Sequence, residues 1–241
     1  MKGLKLGAAG VALTALAMLT AAPASAANLK VHLGGIGNGK PIPTQYAFCV
    51  PSEQGHTGPG ANKNPKISWS KGPKGTQSYA IIASDPDVPT IRTDMNQEGK
   101  TLAADMPRRT FYHWVLVDIP ANVTAIPEAG DSDSRVIHGK PPGPAKIGVR
   151  GVNDYTAAFA TNDAMKGNYG GYDGPCPPWN DLRMHHYHFT VYALDVANLS
   201  VSGNFTGPDA VAAMKGHILA QGETIGIYTQ NPALTKKQAS K

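Results

Sequence analysis

Apolar and polar positions come in short bursts along this chain, and glycine or proline closes nearly every one. Asn28-Leu29-Lys30-Val31-His32-Leu33 alternates with the period of two that turns one face of a strand inward, and Gly34 to Gly39 turns the chain after it. Gln45 to Val50 predicts another strand, followed by a polar loop from Gln54 to Lys63. Ile67-Ser68-Trp69 and Tyr79 to Ser84 predict two more, joined by the turn Gly72-Pro73-Lys74-Gly75. The second of these reads as a buried strand that stops at Asp85-Pro86-Asp87-Val88-Pro89, because proline has no N–H for a β-ladder. His113 to Pro120 and His185 to Asp195 are longer strands headed by histidine, and Glu223 to Tyr228 predicts the last one. One helix is expected. Pro208 and Asp209 suit its first turn, Val211, Met214, Ile218 and Leu219 repeat at helical spacing, and Gly222 stops it. Thr235 to Lys241 reads as a polar tail.

Many short strands and few helices predict a mainly β fold, a single β-rich sandwich-like domain with a few peripheral helices, one of them near the C-terminus. The composition agrees: 27 glycines and 20 prolines against 7% aromatic residues favour turns over a helical bundle. The domain is expected to span residues 27–241. Before it, Lys2 and Lys5 precede an apolar stretch from Leu6 to Ala22, and Ala24-Ser25-Ala26 fits a small-x-small cleavage site. Residues 1–26 therefore read as a cleavable signal peptide. The stretch is too short and too rich in alanine and glycine for a membrane span, so the mature chain is expected without one, periplasmic or secreted. The formal net charge of +5 falls to +3 once the two leader lysines are removed, and it is spread along the chain. No basic stripe of the nucleic-acid-binding kind is present. A mild preference for anionic partners is what the charge supports.

The chemistry concentrates in Gly174-Pro175-Cys176-Pro177-Pro178 and the strand after it. On that strand His185, Tyr187, Phe189, Val191 and Ala193 share the more apolar face, which should look inward and carry an imidazole and a phenol to the rim of a pocket. His186 and His188 fall on the other face, where two histidines without further ligands make a poor metal site and read as surface residues. In an oxidising compartment the pair Cys49 and Cys176 is either one disulfide or two buried thiols, and the disulfide is the reading adopted.

Four motifs in this order, Asp85-Pro86-Asp87-Val88-Pro89, the His113 strand, the Gly174–Pro178 loop and His185-His186-Tyr187, resemble the phosphatidylethanolamine-binding protein family, most closely its bacterial Raf-kinase-inhibitor-like branch. The resemblance runs from about Asn64 to Ala220. It implies a sandwich-like architecture and a ligand pocket at Asp85, His113, His185 and Tyr187, with Pro86, Asp87, Pro89, Gly174 and Pro175 around them. It also marks residues 91–110 and 156–168 as insertions, the first close to the site. The implied function is non-enzymatic binding of a phosphate-bearing small molecule or phospholipid head group, with a protein target such as a kinase or protease also open, and with no cofactor and no metal. In this reading the histidines and Tyr187 donate to an anion, Asp85 orients an imidazole or accepts from an ammonium, and backbone amides of Tyr169–Gly174 add donors. Binding should then weaken as pH rises through the ordinary histidine range. Two alternatives stand beside it: a small hydrolase using an Asp–His pair, and a protein-inhibitor module acting through its inserted loops. No Gly-x-Ser-x-Gly or His-Glu-x-x-His motif supports hydrolysis.

Overall fold

Four long antiparallel strands carry the molecule, in the order Ile218–Tyr228, His185–Leu194, Ser78–Pro89 and Arg108–Pro120. The structure, a computed structural model, describes residues 27–239; residues 1–26, read above as a signal peptide, lie outside the described residues. Ala27–Asn28 and Lys40–Pro41 add parallel pairing to the Ile218–Tyr228 strand, and Val149–Arg150 with Gly143–Pro144 extends the opposite edge. A smaller sheet, Val31–Leu33, Ile67–Trp69 and Ala125–Ile126, lies over one face, and a hairpin pairs Cys49–Ser52 with His56–Pro59. The fold is mainly β, one β-rich domain with few helices.

Alternation explains the layering. Tyr79, Ile81 and Ala83 pack with Trp114, Leu116, Phe189 and Val191 against Ile67, Trp69 and Ile126 of the small sheet. The intervening positions Ala80, Ile82, Val115 and Val117 pack instead against Phe205, Ala210 and Met214, beneath the helix Gly207–Ala213. The central strands are buried on both faces, which is why they read as continuous apolar runs. Trp114 is wholly buried, and truncating such a ring to alanine typically costs about 3–5 kcal/mol.

Three expectations are corrected here. The Ser78–Pro89 strand does not stop at Ser84; a register shift between Asp85 and Val88 takes up the extra residue, and pairing resumes at Val88 with Arg109 and Pro89 with Arg108. The helix is shorter than its apolar spacing implied. Thr206 and Asp209 form a reciprocal cap at its start, but the chain turns after Met214 and reaches Gly216 at φ 85°, so Ile218 and Leu219 belong to the following strand. Gly222 is an interior strand position opposite Val191, where a Cβ would run into the Leu29 carbonyl. Finally, Thr235 lies inside a helix, Pro232–Ala239, not in an irregular tail.

Cys49 and Cys176 form a disulfide that joins residues 127 apart in sequence, with Cα atoms 4.7 Å apart. Reduction should lower the melting temperature, because a long closed loop typically stabilises by about 2–4 kcal/mol. Calorimetry with and without reductant measures it. An unchanged transition in protein verified as reduced would contradict this.

Candidate functional site

The bulge at Pro86–Asp87 kinks the end of the Ser78–Pro89 strand and turns Asp85 inward beside the head of the His185–Leu194 strand. His185 is wholly buried, and both of its ring nitrogens are engaged. Its Nδ1 lies 2.6 Å from Asp85 Oδ2 and its Nε2 lies 3.2 Å from Asp181 Oδ2. Since carboxylates only accept, both nitrogens donate and the ring is an imidazolium. Burial works against the charge, but the two carboxylates outweigh it and raise the His185 pKa to about 9. Asp181 in turn takes a forked pair of bonds from Arg108, at 2.5 and 3.0 Å. Burial alone would raise Asp181; His185 and Arg108 outweigh it and hold the carboxyl below the usual range.

His113 behaves in the opposite way. Its Nδ1 is 2.8 Å from the Asp173 carbonyl, so that nitrogen carries the proton and Nε2 keeps a lone pair. Burial pushes its pKa down, and the nearby carboxylates only partly oppose this. Tyr187 packs edge-on to His113, with ring centroids 5.2 Å apart. Its buried hydroxyl makes no well-formed hydrogen bond, although Asp85 is near enough to help burial push its pKa far up.

These four side chains floor a cavity of about 160 Å³. Phe111, Tyr155, Phe159, Val88 and Met95 form apolar walls, Cys176, Pro177 and Pro178 a rigid one, and Arg92 and Arg109 stand at the mouth. Both inserted segments contribute. Of the insertion expected over 91–110, residues 91–107 bring Arg92, Met95 and Asn96, whereas Arg108 to Thr110 already belong to the Arg108–Pro120 strand; the stretch after Tyr155 brings Ala158 and Phe159. The first is gathered by one side chain, Asn180. Its amide donates to the Asp94 and Lys100 carbonyls at 2.8 and 3.2 Å, and its oxygen accepts from the Asn96 amide at 3.0 Å.

Other expected site residues sit elsewhere. Asp87 is buried but turned away from the cavity; its carboxylate is held by Arg183 at 2.5 Å and by the His186 ring and amide at 2.8 and 2.9 Å. Those contacts outweigh burial and keep its pKa low. His186 is therefore a partner of Asp87 and not a free surface residue, while His188 pairs with Glu223 at 3.1 Å. Pro86 is exposed, and Pro86, Pro89, Gly174 and Pro175 do not line the cavity. Gly174 and Pro175 act through carbonyls, which accept from the Tyr155 hydroxyl and from the Phe48 and Cys49 amides. Trp179 stacks on His56, ring centroids 3.9 Å apart, rather than lining the cavity.

The backbone donors expected from Tyr169–Gly174 are all spent. Their amides donate in order to Thr156 Oγ1, Lys140 O, Gly151 O, Asp131 Oδ2, His113 O and Asn62 Oδ1. Asp173 within this segment is fully buried and satisfied by Lys140, Asn62 and Asn153 at 2.7, 2.7 and 2.8 Å. Sequence reasoning missed Asp181, Arg108, Arg109 and Tyr155. The one legible signal was Asp181 four residues before His185, ahead of a strand whose inward histidine needed a partner.

The pH behaviour follows, and it differs from the titration near neutrality expected above. His185 has a folded pKa above its unfolded value near 6.5, so its contribution to stability is fully present below that value and is lost as pH rises toward about 9. His113 has a lowered folded pKa, so its neutral form contributes above about 6.5 and that contribution is lost on acidification. Imidazole ¹⁵N spectra should show one buried ring still protonated on both nitrogens at pH 8 and another that titrates below the ordinary histidine value of about 6.5. Two rings titrating together near 6.5 would contradict both assignments.

Comparison with known proteins adds the following. Residues 35–229 match the family model described as phosphatidylethanolamine-binding protein. YbcL, a UPF0098 protein of Escherichia coli K12, is 31% identical over 216 residues, covering 89% of this chain and 94% of its own. A UPF0098 protein of Aquifex aeolicus is 30% identical over 209 residues, covering 86% and 92%. The crystal structure of E. coli YbcL, described there as a new member of the mammalian family of the same name, superposes with a TM-score of 0.59 at 28% identity, over 84% of this chain and 99% of that one.

Proposed function

The chain belongs to the phosphatidylethanolamine-binding protein family, and on that premise we propose that it is a non-enzymatic binding protein whose cavity takes a phosphate-bearing small molecule or phospholipid head group. The observation that carries the reading is the mouth of the cavity. Arg92 is exposed there with no side-chain partner among the described residues, and Arg109 is 39% exposed, its nearest carboxylate, Asp154, being 3.9 Å away. Two guanidinium groups over an aromatic slot attract an anion and offer it paired N–H donors. At His185 the floor argues against hydrolysis: a general base needs a free lone pair, and both nitrogens of that ring donate to carboxylates, so the Asp85–His185 pair cannot act as one. Inhibition of a kinase or protease, the family's other mode of action as the sequence resemblance implies it, would use the rim loops 91–107 and 156–168.

We also propose that the protein is exported, on the strength of Lys2, Lys5 and the Ala24-Ser25-Ala26 site, together with a disulfide that persists in an oxidising compartment. Among the described residues no helix is long and apolar enough to cross a membrane. N-terminal sequencing of protein recovered from its native host should begin at Ala27. Full-length chain confined to the cytoplasm would end this reading.

For the pocket, calorimetric titration with phosphoethanolamine should show binding that weakens by roughly 1.5–3 kcal/mol in Arg109→Ala, the usual worth of hydrogen bonds to a charged group. His188→Ala, on the opposite strand face, should leave affinity unchanged. No binding to the wild type removes the ligand reading and leaves the fold untouched.

A further inference from the structure

Lysines that stand far apart in the sequence are gathered by the sheet at the end opposite the cavity. The four long strands define that end. His185 pairs with Tyr228 beside the cavity, whereas Leu194 pairs with Ile218 and with Ser78 at the other end, and Ser78 pairs there with Pro120. The 10 residues of the His185–Leu194 strand put about 30 Å between the two ends. The turns at the far end carry Lys71 and Lys74 ahead of Ser78, and Lys215 ahead of Ile218. Lys146 lies in the turn closed by the bond from the Ala145 amide to the Gly148 carbonyl, next to the pairing of Val149 with Val117. Lys30 joins them, because its amide and its carbonyl both bond to Ser70, the neighbour of Lys71. All five lysines are exposed, and their ammonium groups have no partner among the described residues.

The carboxylates at this end do not cancel that charge. Asp195 pairs with His217 at 2.8 Å, and the half-buried Asp118 accepts from the Leu199 amide at 2.9 Å. The rim loops around the cavity differ, since Lys100 there faces Asp94 at 3.9 Å and Lys166 faces Asp163 at 3.4 Å.

The kind of side chain narrows the partner. Lysine is a flexible point charge and lacks the planar fork with which arginine reads a fixed arrangement of oxygens. No arginine and no aromatic residue stands on the turns 71–77, 120–124, 145–148, 195–198 and 215–217, so nucleic-acid bases have nothing to stack on. None of the exposed large apolar side chains, Ile91, Ile137, Leu182 and Val211, lies on these turns, so nothing there inserts into hydrocarbon. Between Lys71, Lys74, Thr76 and Asn122 lies a hollow lined also by the buried Tyr79, and the Lys74 and Gly75 amides beside it make no hydrogen bond within the fold. Free ammonium groups and free amides around a hollow suit the oxygens of a lipid phosphodiester.

We propose that this end of the molecule docks on an anionic phospholipid bilayer through Lys30, Lys71, Lys74, Lys146 and Lys215, with the cavity facing away from the membrane. The contact is electrostatic adsorption, in which each lysine near the surface adds attraction and salt screens it within a Debye length. Docking is independent of what the cavity binds, and it turns the cavity toward the solution.

Sedimentation of the mature chain with phosphatidylcholine vesicles, with and without phosphatidylglycerol, tests this. Binding should require the anionic lipid and be lost at high salt. Lys71→Glu combined with Lys74→Glu should weaken it by about tenfold or more. Lys100→Glu combined with Lys166→Glu removes the same charge from the cavity end and should change it far less. A second measurement uses the unaltered protein, with acetylation of its lysines followed by mass spectrometry. Vesicles should protect Lys71, Lys74 and Lys215 and leave Lys100 and Lys166 reactive. Protection of Lys236 and Lys237 on the last helix in their place would put the contact at the cavity end and overturn the inference. Equal losses in the two double variants, equal binding to neutral vesicles, or no binding at low salt would each overturn it too. Binding to duplex DNA with none to the anionic vesicles would assign the lysines to a different polyanion and reject the membrane.

Discussion

A single protonated imidazole holds the site together. His185 lies buried between Asp85 and Asp181; it is the cation bonded to Asp85, while Asp181 is held by Arg108 as well. Removing one partner from such a buried ionic group typically costs about 3–5 kcal/mol, because the remaining charges lose their compensation. The group also fixes geometry. Asp85 ends the straight part of the Ser78–Pro89 strand, Asp181 follows the proline loop, His185 opens the next strand, and Arg108 opens the strand that closes the inserted segment. Three separate stretches of chain meet at one charge, Asp181 and His185 lying on the same one.

That arrangement limits what this ring can do. An imidazole bonded on both sides to carboxylates has no lone pair left to take a proton, so it orders the groups around it. The histidine with a usable lone pair, His113, is kept neutral by burial and by the Asp173 carbonyl. Tyr187 cannot ionise in its surroundings, and neither can Tyr155. Burial and partners thus set the two histidines apart, His185 charged between carboxylates and His113 neutral on the Asp173 carbonyl.

How much of this was legible in the chain itself depends on the range of the interaction. The inward face of His185, Tyr187, Phe189 and Val191 follows from a period of two, which needs no tertiary information, and the buried Tyr79–Ala83 run is equally local. The strand's continuation past Pro86 was hidden because a bulge spends the proline where no ladder bond is needed. The early end of the Gly207–Ala213 helix was hidden because Ile218 and Leu219 suit either a helix or a strand, and the left-handed Gly216 decides between them. Donor availability was the least legible property. Whether a histidine or a loop amide is free depends on partners up to 112 residues away, such as Asn62 for the Gly174 amide. Sequence can nominate a side chain for a pocket, but it cannot say which of its hydrogen bonds is already made.

The division between floor and rim has a consequence for how such a protein can change. Asp85, His113, His185 and Tyr187 sit on long strands of the central sheet, while Arg92, Met95, Ala158 and Phe159 sit on two excursions from it. The first excursion is gathered largely through Asn180, and its residues make few ladder bonds. Its length and lining can be exchanged without touching the charge cluster below. The scaffold thus behaves as a socket with interchangeable collars: relatives with the same floor can diverge in the size and charge of what they admit, and a designer could transplant a collar between them while leaving the socket unaltered.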